Sequence, residues 1–212
     1  MPVRHVATST IRRLSLYLQY LDECEREGQG TVSSRALAER GGATPAQVRK
    51  DLSFFGSFGK RGIGYPAAEL ATRLRDILGL GRRYRVVLIG AGRIGAALAN
   101  YPGFATRGFE IAAIYDADPA KIGTALDGLV VAPADRLEAD LAAYPADIAV
   151  IGTPAAAAQD VADRVVKAGV RAVLNFAPVS LVVPPQVAVS NVNMALELEA
   201  LTFALARGRR NG

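Results

Sequence analysis

Histidine and cysteine are almost missing from this chain: among its 212 residues each occurs once, as His5 and Cys24. A zinc site built on clusters of those residues is therefore excluded. So is nucleophilic catalysis of the Ser/His/Asp or Cys/His kind, which needs an imidazole beside the nucleophile. His5 stands before the first predicted helix and reads as an exposed terminal residue. Cys24 lies in the acidic stretch DECERE with no second cysteine to pair with, so neither a disulfide nor redox chemistry at sulfur is expected. Long apolar runs are lacking too: none reaches the roughly 18 residues of a membrane helix. The opening MPVRHVATST has no apolar core of a signal peptide, and a soluble, cytoplasmic protein is expected.

Half of the residues are hydrophobic, enough for a real core, and the length suits one large or two small domains. The net charge is +5, and it is unevenly placed. Residues 1–80 carry 12 Lys+Arg against 8 Asp+Glu, a balance of +4, whereas residues 81–212 carry 13 against 12, a balance of +1. Binding to nucleic acid depends on where charge sits, so the first third is where such a function would lie.

That third reads as three short helices. Ile11, Leu14, Leu18 and Leu21 recur at helical spacing from about Ser9 to Glu27, and Gly28 and Gly30 stop the pattern. SSRALAER, closed by Gly41-Gly42, suggests a second helix. Thr44-Pro45-Ala46-Gln47 opens the third with a capping threonine, a proline at the first helical position and a glutamine three residues after the cap, the pattern of a capping box. Val48, Leu52 and Phe55 form one apolar stripe on it, while Ala46, Arg49, Lys50 and Ser53 share the opposite face. Two long cations between small residues suit a helix entering a major groove about 12 Å wide. An ordinary solvated face would look similar.

The next stretch separates the two. GSFGKRGIGY, residues 56–65, has four glycines with Lys60-Arg61 at its centre, the composition of a tight β-hairpin with a basic tip. Three helices and such a hairpin make a winged helix-turn-helix whose wing would follow the DNA backbone or minor groove.

Pro66 opens a further helix, AAELATRLRDILG, and GLGRR, residues 79–83, marks a boundary. Tyr84 to Ile89 is a buried-strand run, followed at once by Gly90-Ala91-Gly92-Arg93-Ile94-Gly95 and the helical AALAN. A lone GxGxxG is weak, but here strand, glycines and helix stand in the order of a dinucleotide-binding turn. The first glycine makes the turn, the second admits a pyrophosphate and the third lets helix and strand pack. A second strand ends at Asp116, 21 residues beyond Gly95, where a carboxylate would hydrogen-bond the adenosine ribose and favour NAD(H) over NADP(H). Asp118 could share that role. IAVIGTP, VRAVLNFAP and a strand near Val187 to Ser190 continue the βα alternation, so Thr153-Pro154 and Asn175-Phe176 should line the nicotinamide end.

The expected fold class is thus α/β: a winged helix-turn-helix, then a doubly wound parallel Rossmann sheet, then a terminal helix. The domains are expected at 1–80, 81–191 and 192–212. MALELEALTFALA is apolar on more than one side through Leu196, Leu198, Leu201, Phe203 and Leu205. A terminal helix of that kind needs a partner subunit to bury it. A small NAD-dependent oxidoreductase is the alternative, but after residue 80 there remain only a single Rossmann unit and a tail, with no room for a substrate domain. A CoA-binding module of the acyl-CoA synthetase kind is another, and it leaves the winged helix unexplained.

The motifs TPAQVRKDLSFFGSFGKRGIGY, GAGRIGAALANYPGF, NFAPV and a final LELEAL helix resemble the Rex family of redox-sensing transcriptional repressors over nearly the full length. The resemblance implies no catalysis, no metal and a homodimer with exchanged C-terminal helices. It implies binding to double-stranded operator DNA, as an inverted repeat, and release when NADH binds. It also implies a polar switch among an aspartate, a tyrosine and an arginine, matching here Asn193, Tyr101 and Arg13; Asn193 stands where the family commonly has the aspartate.

Overall fold

The computed structural model describes residues 6–59 and 62–208; His5, Lys60 and Arg61 lie outside them. By contact the chain divides into two compact units, Met1–Arg82 and Arg83–Gly212.

In the first unit α1 (Thr8–Arg26) packs against α2 (Ser34–Gly41) and α4 (Ala67–Ile77), and α2 packs against α3 (Pro45–Ser53). Leu14, Tyr17, Leu18, Leu21, Leu37, Val48, Leu52, Leu70 and Leu74 form its core, each stabilising the fold by about 1.5–3 kcal/mol through burial. Ser33 caps α2 by accepting from the amide of Ala36 at 3.1 Å, and Gly42 ends it in the left-handed region at φ 59°. Thr44 caps α3 by accepting from the amide of Gln47 at 3.1 Å.

One expectation needs correction. The capping box is half formed: the Gln47 side-chain amide donates to the Asp51 carboxylate at 2.7 Å, drawn there because a bond to a buried charge is stronger than one to an exposed backbone group. Of the hairpin expected at residues 56–65, the tip Lys60-Arg61 lies outside the described residues and Gly64 is a bridge residue. Its strand, β2 (Tyr65–Pro66), pairs antiparallel with β1 (Thr31–Val32). The limbs lie close at Gly59, where a β-carbon would collide with the Gly64 carbonyl, and Gly64 lies as close to the Val32 carbonyl of β1; both glycines have positive φ.

The second unit is a seven-stranded sheet. Its strands are β3 (Tyr84–Ile89), β4 (Phe109–Asp116), β5 (Ala125–Leu126), β6 (Leu129–Pro133), β7 (Ile148–Ile151), β8 (Ala172–Asn175) and β9 (Ala188–Asn191), in the order β5-β6-β4-β3-β7-β8-β9. All pairings are parallel except β5 with β6. Without β5 this is the doubly wound order of a Rossmann sheet, with its switch point between β3 and β7. The β5-β6 hairpin turns on Asp127 (φ 47°) and Gly128 (φ 78°), the two positive φ values of a type I′ turn.

One face is covered by α7 (Leu137–Ala143) and α8 (Ala155–Lys167) through Leu137, Leu141, Val161 and Val165. The other carries α5 (Arg93–Ala99) and the short α6 (Pro102–Ala105), and there Phe109, Ile148, Leu174 and Phe176 stay only partly buried. On this side an apolar groove of about 330 Å³ runs over Val86, Ile148, Val150, Leu174 and Val189. The last helix, α9 (Met194–Gly208), leaves Leu196, Leu198, Leu201, Phe203 and Leu205 58 to 70% exposed. Among the described residues no helix is long and apolar enough to cross a membrane.

Candidate functional site

The third helix presents two faces of opposite chemistry. Val48, Leu52 and Asp51 are buried, while Ala46, Arg49, Lys50 and Ser53 are exposed. Arg49 Nη1 donates to Ser34 Oγ at 3.1 Å, and Ser53 Oγ donates to the Lys50 carbonyl at 2.9 Å. This face borders a cleft of about 850 Å³ lined by Ser34, Arg49, Ser53, Phe58, Ile63 and Tyr65. Lys60 and Arg61, expected at the wing tip, lie outside the described residues.

Behind that face sits a network the sequence reading missed. Asp51 Oδ2 accepts from Arg13 Nε at 2.7 Å and Tyr17 Oη at 3.1 Å, and Oδ1 accepts from Arg13 Nη2 at 2.8 Å and Gln47 Nε2 at 2.7 Å. Burial alone would raise the Asp51 pKa, but the hydrogen bonds from Arg13, Gln47 and Tyr17 outweigh it and hold the carboxyl below its ordinary value. Burial, with Asp51 beside it, pushes the Tyr17 hydroxyl up to about 12, so it remains a donor. The signal was there: on a helical wheel Asp51 falls about 60° from Val48, on the flank of the apolar stripe.

In the second unit the glycine-rich turn joins β3 to α5 at the switch point. Gly90 has φ 106°, and a β-carbon there would meet the Gly152 backbone at 2.7 Å. A β-carbon at Gly95 would collide with the Gly90 carbonyl, whereas at Gly92 nothing stands within 4 Å. Turn, helix packing and open approach thus fall on Gly90, Gly95 and Gly92, the division of roles that a dinucleotide pyrophosphate requires. Ala91, Arg93 and Ile94 fill the rest of the turn, and Arg93 and Ile94 are exposed. Gly92 is the N-cap of α5, so the first amides of the helix face the side from which an anion would come.

Asp116 ends β4 beside this turn and is buried. Its Oδ2 accepts from the Ala91 amide at 2.7 Å and Lys121 Nζ at 3.2 Å, and its Oδ1 accepts from the Asp118 amide at 2.8 Å. Burial would raise its pKa; the amides of Asp118 and Ala91 and the Lys121 ammonium lower it more. The carboxylate therefore braces the turn and has one lone-pair direction left on Oδ1 for a ribose hydroxyl. Lys121, which also lies 3.5 Å from Asp118, is a member of the site that the sequence reading missed.

Across the switch point, Thr153 Oγ1 is buried with no partner, the one such side-chain atom among the described residues. A buried hydroxyl without a partner costs stability unless a ligand completes it, which fits a bound dinucleotide. Pro154 caps α8. Asn175 corrects its expected role: it is fully buried, its Nδ2 donates to Ala177 O, Val179 O and Asn191 Oδ1, and its Oδ1 accepts from the Ala177 amide. A strand end left without neighbours would be free to touch a ligand, but this one is used to fold the loop that carries Phe176.

The residues matched to a polar switch have local partners instead. Arg13 is engaged by Asp51 and by Thr10 Oγ1 at 3.1 Å. Tyr101 is exposed and packs edge-on to Phe104, ring centroids 5.1 Å apart. Asn193 Oδ1 accepts from the Ala195 amide at 3.0 Å, which caps α9.

A winged helix-turn-helix and a Rossmann sheet with a dinucleotide-type turn, in one chain, define the class of DNA-binding regulators that carry a nucleotide-sensing domain. Residues 5–53 match a family model described as "Putative DNA-binding protein N-terminus", and residues 82–179 one described as "CoA binding domain". The redox-sensing transcriptional repressor Rex of Desulfitobacterium hafniense is 47% identical over 99% of this chain and 100% of its own length. Rex of Streptomyces avermitilis is 46% identical over 94% of this chain and 79% of its own. The Rex-family repressor RSP, in complex with beta-NAD+ and operator DNA, matches with a TM-score of 0.90 at 37% identity, over 97% of this chain and 95% of that one. RSP in complex with beta-NADH matches with a TM-score of 0.88 at 36% identity, over 97% of each chain. The chain belongs to the Rex family of redox-sensing transcriptional repressors.

Proposed function

We propose that this protein is a transcriptional repressor that binds operator DNA through its first unit, binds NAD(H) through its second, and leaves the DNA when NADH is bound. The observation that carries the reading is full-length similarity to a repressor known both with operator DNA and beta-NAD+ and with beta-NADH. Arg49, Lys50 and Ser53 meet the major groove, with Lys60 and Arg61 on the wing. Gly90 to Gly95 hold the pyrophosphate, Asp116 the adenosine ribose, and Thr153, Pro154 and Phe176 the nicotinamide end. Bound nucleotide has a regulatory task here, not a catalytic one, and a regulator of transcription works in the cytoplasm where bacterial DNA lies.

A homodimer completes the reading. The exposed leucines of α9 and the apolar groove over β7, β8 and β9 are matching surfaces, and exchange of α9 between two copies would bury both. The operator is then an inverted repeat with half-sites whole turns apart, about 10–10.5 bp each. The test is binding to an operator duplex titrated separately with NADH, NAD+ and NADPH. NADH should release the DNA far below the concentration needed of the other two; release by none of them would end the reading. Coenzyme A, suggested by the second family model, belongs in the same titration as a competitor and should leave the complex intact.

A further inference from the structure

The carboxylate of Asp51 lies beneath the DNA-facing side of α3 and touches no part of it. We propose that Asp51 is a positioning residue for DNA reading: it fixes the rotation of α3 about its own axis, and with it the register in which Arg49, Lys50 and Ser53 meet base edges. The inference rests on the DNA-binding reading above.

The helix has only nine residues, and Val48 and Leu52 are the apolar side chains it buries. Apolar burial is non-directional, so two such side chains set the rotation of the helix only coarsely. Asp51 supplies the direction. Its two oxygens accept four hydrogen bonds, two from Arg13, one from Tyr17 and one from Gln47, which fills the lone-pair sites of a carboxylate. Arg13 and Tyr17 stand four residues apart on one face of α1, and α1 is itself tied to α4 by Arg75, which bonds Asp22 at 2.6 Å and Glu25 at 3.0 Å. The orientation of α3 is therefore referred to α1 and, through it, to α4.

Geometry decides which property depends on this. A turn of roughly 20° moves a side-chain tip at a radius of roughly 6 Å by about 2 Å. Hydrogen bonds to base edges hold only within a few tenths of an ångström of their best distance, so they are lost. Long lysine and arginine side chains recover phosphate contacts after the same movement. Loss of Asp51 should thus reduce discrimination between sequences and not the attraction to DNA in general.

The experiment uses the full chain at fixed NAD+ and two probes: an inverted-repeat duplex selected by the wild type from a random library, and an unrelated duplex of equal length. Asp51→Asn should bind the selected duplex at least about tenfold more weakly, with the unrelated duplex changed by less than about twofold and the salt slope of binding unaltered. Arg13→Lys, which keeps the charge but loses the fork, and Gln47→Ala should move the same ratio in the same direction by less; they carry the test if Asp51→Asn does not fold. An unchanged ratio in variants that only melt earlier overturns the proposal and leaves the DNA-binding reading standing. A wild type that selects no sequence from the library overturns both.

Discussion

Arg13 and Asp51 are joined by a two-bond fork, Nε to Oδ2 at 2.7 Å and Nη2 to Oδ1 at 2.8 Å, that spans 38 residues of sequence. The aspartate side chain is 2% exposed and the arginine 20%, so the cost of breaking the pair falls on the aspartate. Removing one partner of a buried pair leaves an uncompensated charge and costs about 3–5 kcal/mol, whereas an exposed pair contributes about 0–1. Arg13→Ala should therefore destabilise the protein several times more than Arg136→Ala, which breaks the more exposed pair with Asp140. Urea unfolding of the two variants compares them directly, and equal losses would mean that the fork is no stronger than a surface contact.

The same network sets a pH dependence. Asp51 titrates lower in the folded protein than in the unfolded chain because the bonds from Arg13, Gln47 and Tyr17 outweigh its burial. A lowered folded pKa adds stability that is present in full above the unfolded value, and it is lost as pH falls through the folded one. Of the groups facing the carboxylate, Arg13 stays cationic, Gln47 does not titrate and Tyr17 is raised to about 12. Only Asp51 changes charge in acid. The difference in melting temperature between wild type and Asp51→Asn should be constant above about pH 5, begin to shrink below about pH 4 and close only once the pH has fallen through the lowered folded value. Depressed carboxyls elsewhere, such as Glu138 held to about 2 by Arg164, act alike in both proteins and cancel from the difference.

Exposed cations on α3 should be visible in salt dependence. Each phosphate-contacting cation adds about 0.9 to the slope of log affinity against log salt. Arg49→Ala and Lys50→Ala are expected to flatten it by nearly one unit each where they meet phosphate, and Lys60→Ala and Arg61→Ala likewise. Arg49 has a neighbour in Ser34 to hold it in the free protein, so its loss should also weaken sequence preference. Full affinity and an unchanged slope in all four variants would remove this face from the interface.

What could be read from the sequence was set by local chemistry. The β3 strand is a continuous apolar run and the glycines that follow it each have a backbone reason, so strand, turn and α5 were legible within a few residues. Thr44-Pro45 marked the start of α3 in the same way. The wing ladder was not legible, because the partner of Tyr65 is Val32, far back in the chain, and two-residue strands show no alternation. Asp51 was hidden for a related reason: a charge is buried only if distant donors meet it, and Arg13 and Tyr17 belong to another helix. Asn175 misled because a polar residue at a strand end looks the same whether it serves a ligand or its own loop. Asp127-Gly128, the dipeptide at the β5-β6 turn, is a hairpin signal in the sequence itself.

Cofactor preference should depend on Asp116 and Lys121 together. Asp116→Ala removes a charged acceptor from the ribose, a loss of about 1.5–3 kcal/mol or roughly ten- to a hundredfold in NADH affinity. It also leaves Lys121, now 3.2 Å from Asp116, paired with Asp118 alone at 3.5 Å, and so more able to attract a 2′-phosphate. The gap between NADH and NADPH should narrow from both sides. In Asp116→Ala/Lys121→Ala the gain for NADPH should disappear while the loss for NADH remains. Fluorescence titration of both nucleotides against the three proteins checks this, and an unchanged preference would transfer the ribose contact to Asp118.

Asn193 concerns the strength of the response to NADH. A ligand shifts an equilibrium only by its differential affinity for the two arrangements of the protein, so any polar contact specific to one arrangement sets part of the gain. In this structure the Asn193 side-chain oxygen caps α9 through the Ala195 amide, and the NH2 group that remains cannot accept from an arginine. An aspartate at the same position could cap with one oxygen and accept with the other. A charged hydrogen bond exceeds a neutral one by about 1 kcal/mol, roughly a fivefold change in coupling. Asn193→Asp should therefore keep the fold, and saturating NADH should weaken its operator binding about fivefold more than it weakens the wild type's. The ratio of operator affinities with and without NADH measures this in both proteins. If that ratio does not move, residue 193 is a helix cap alone and the coupling runs through other contacts.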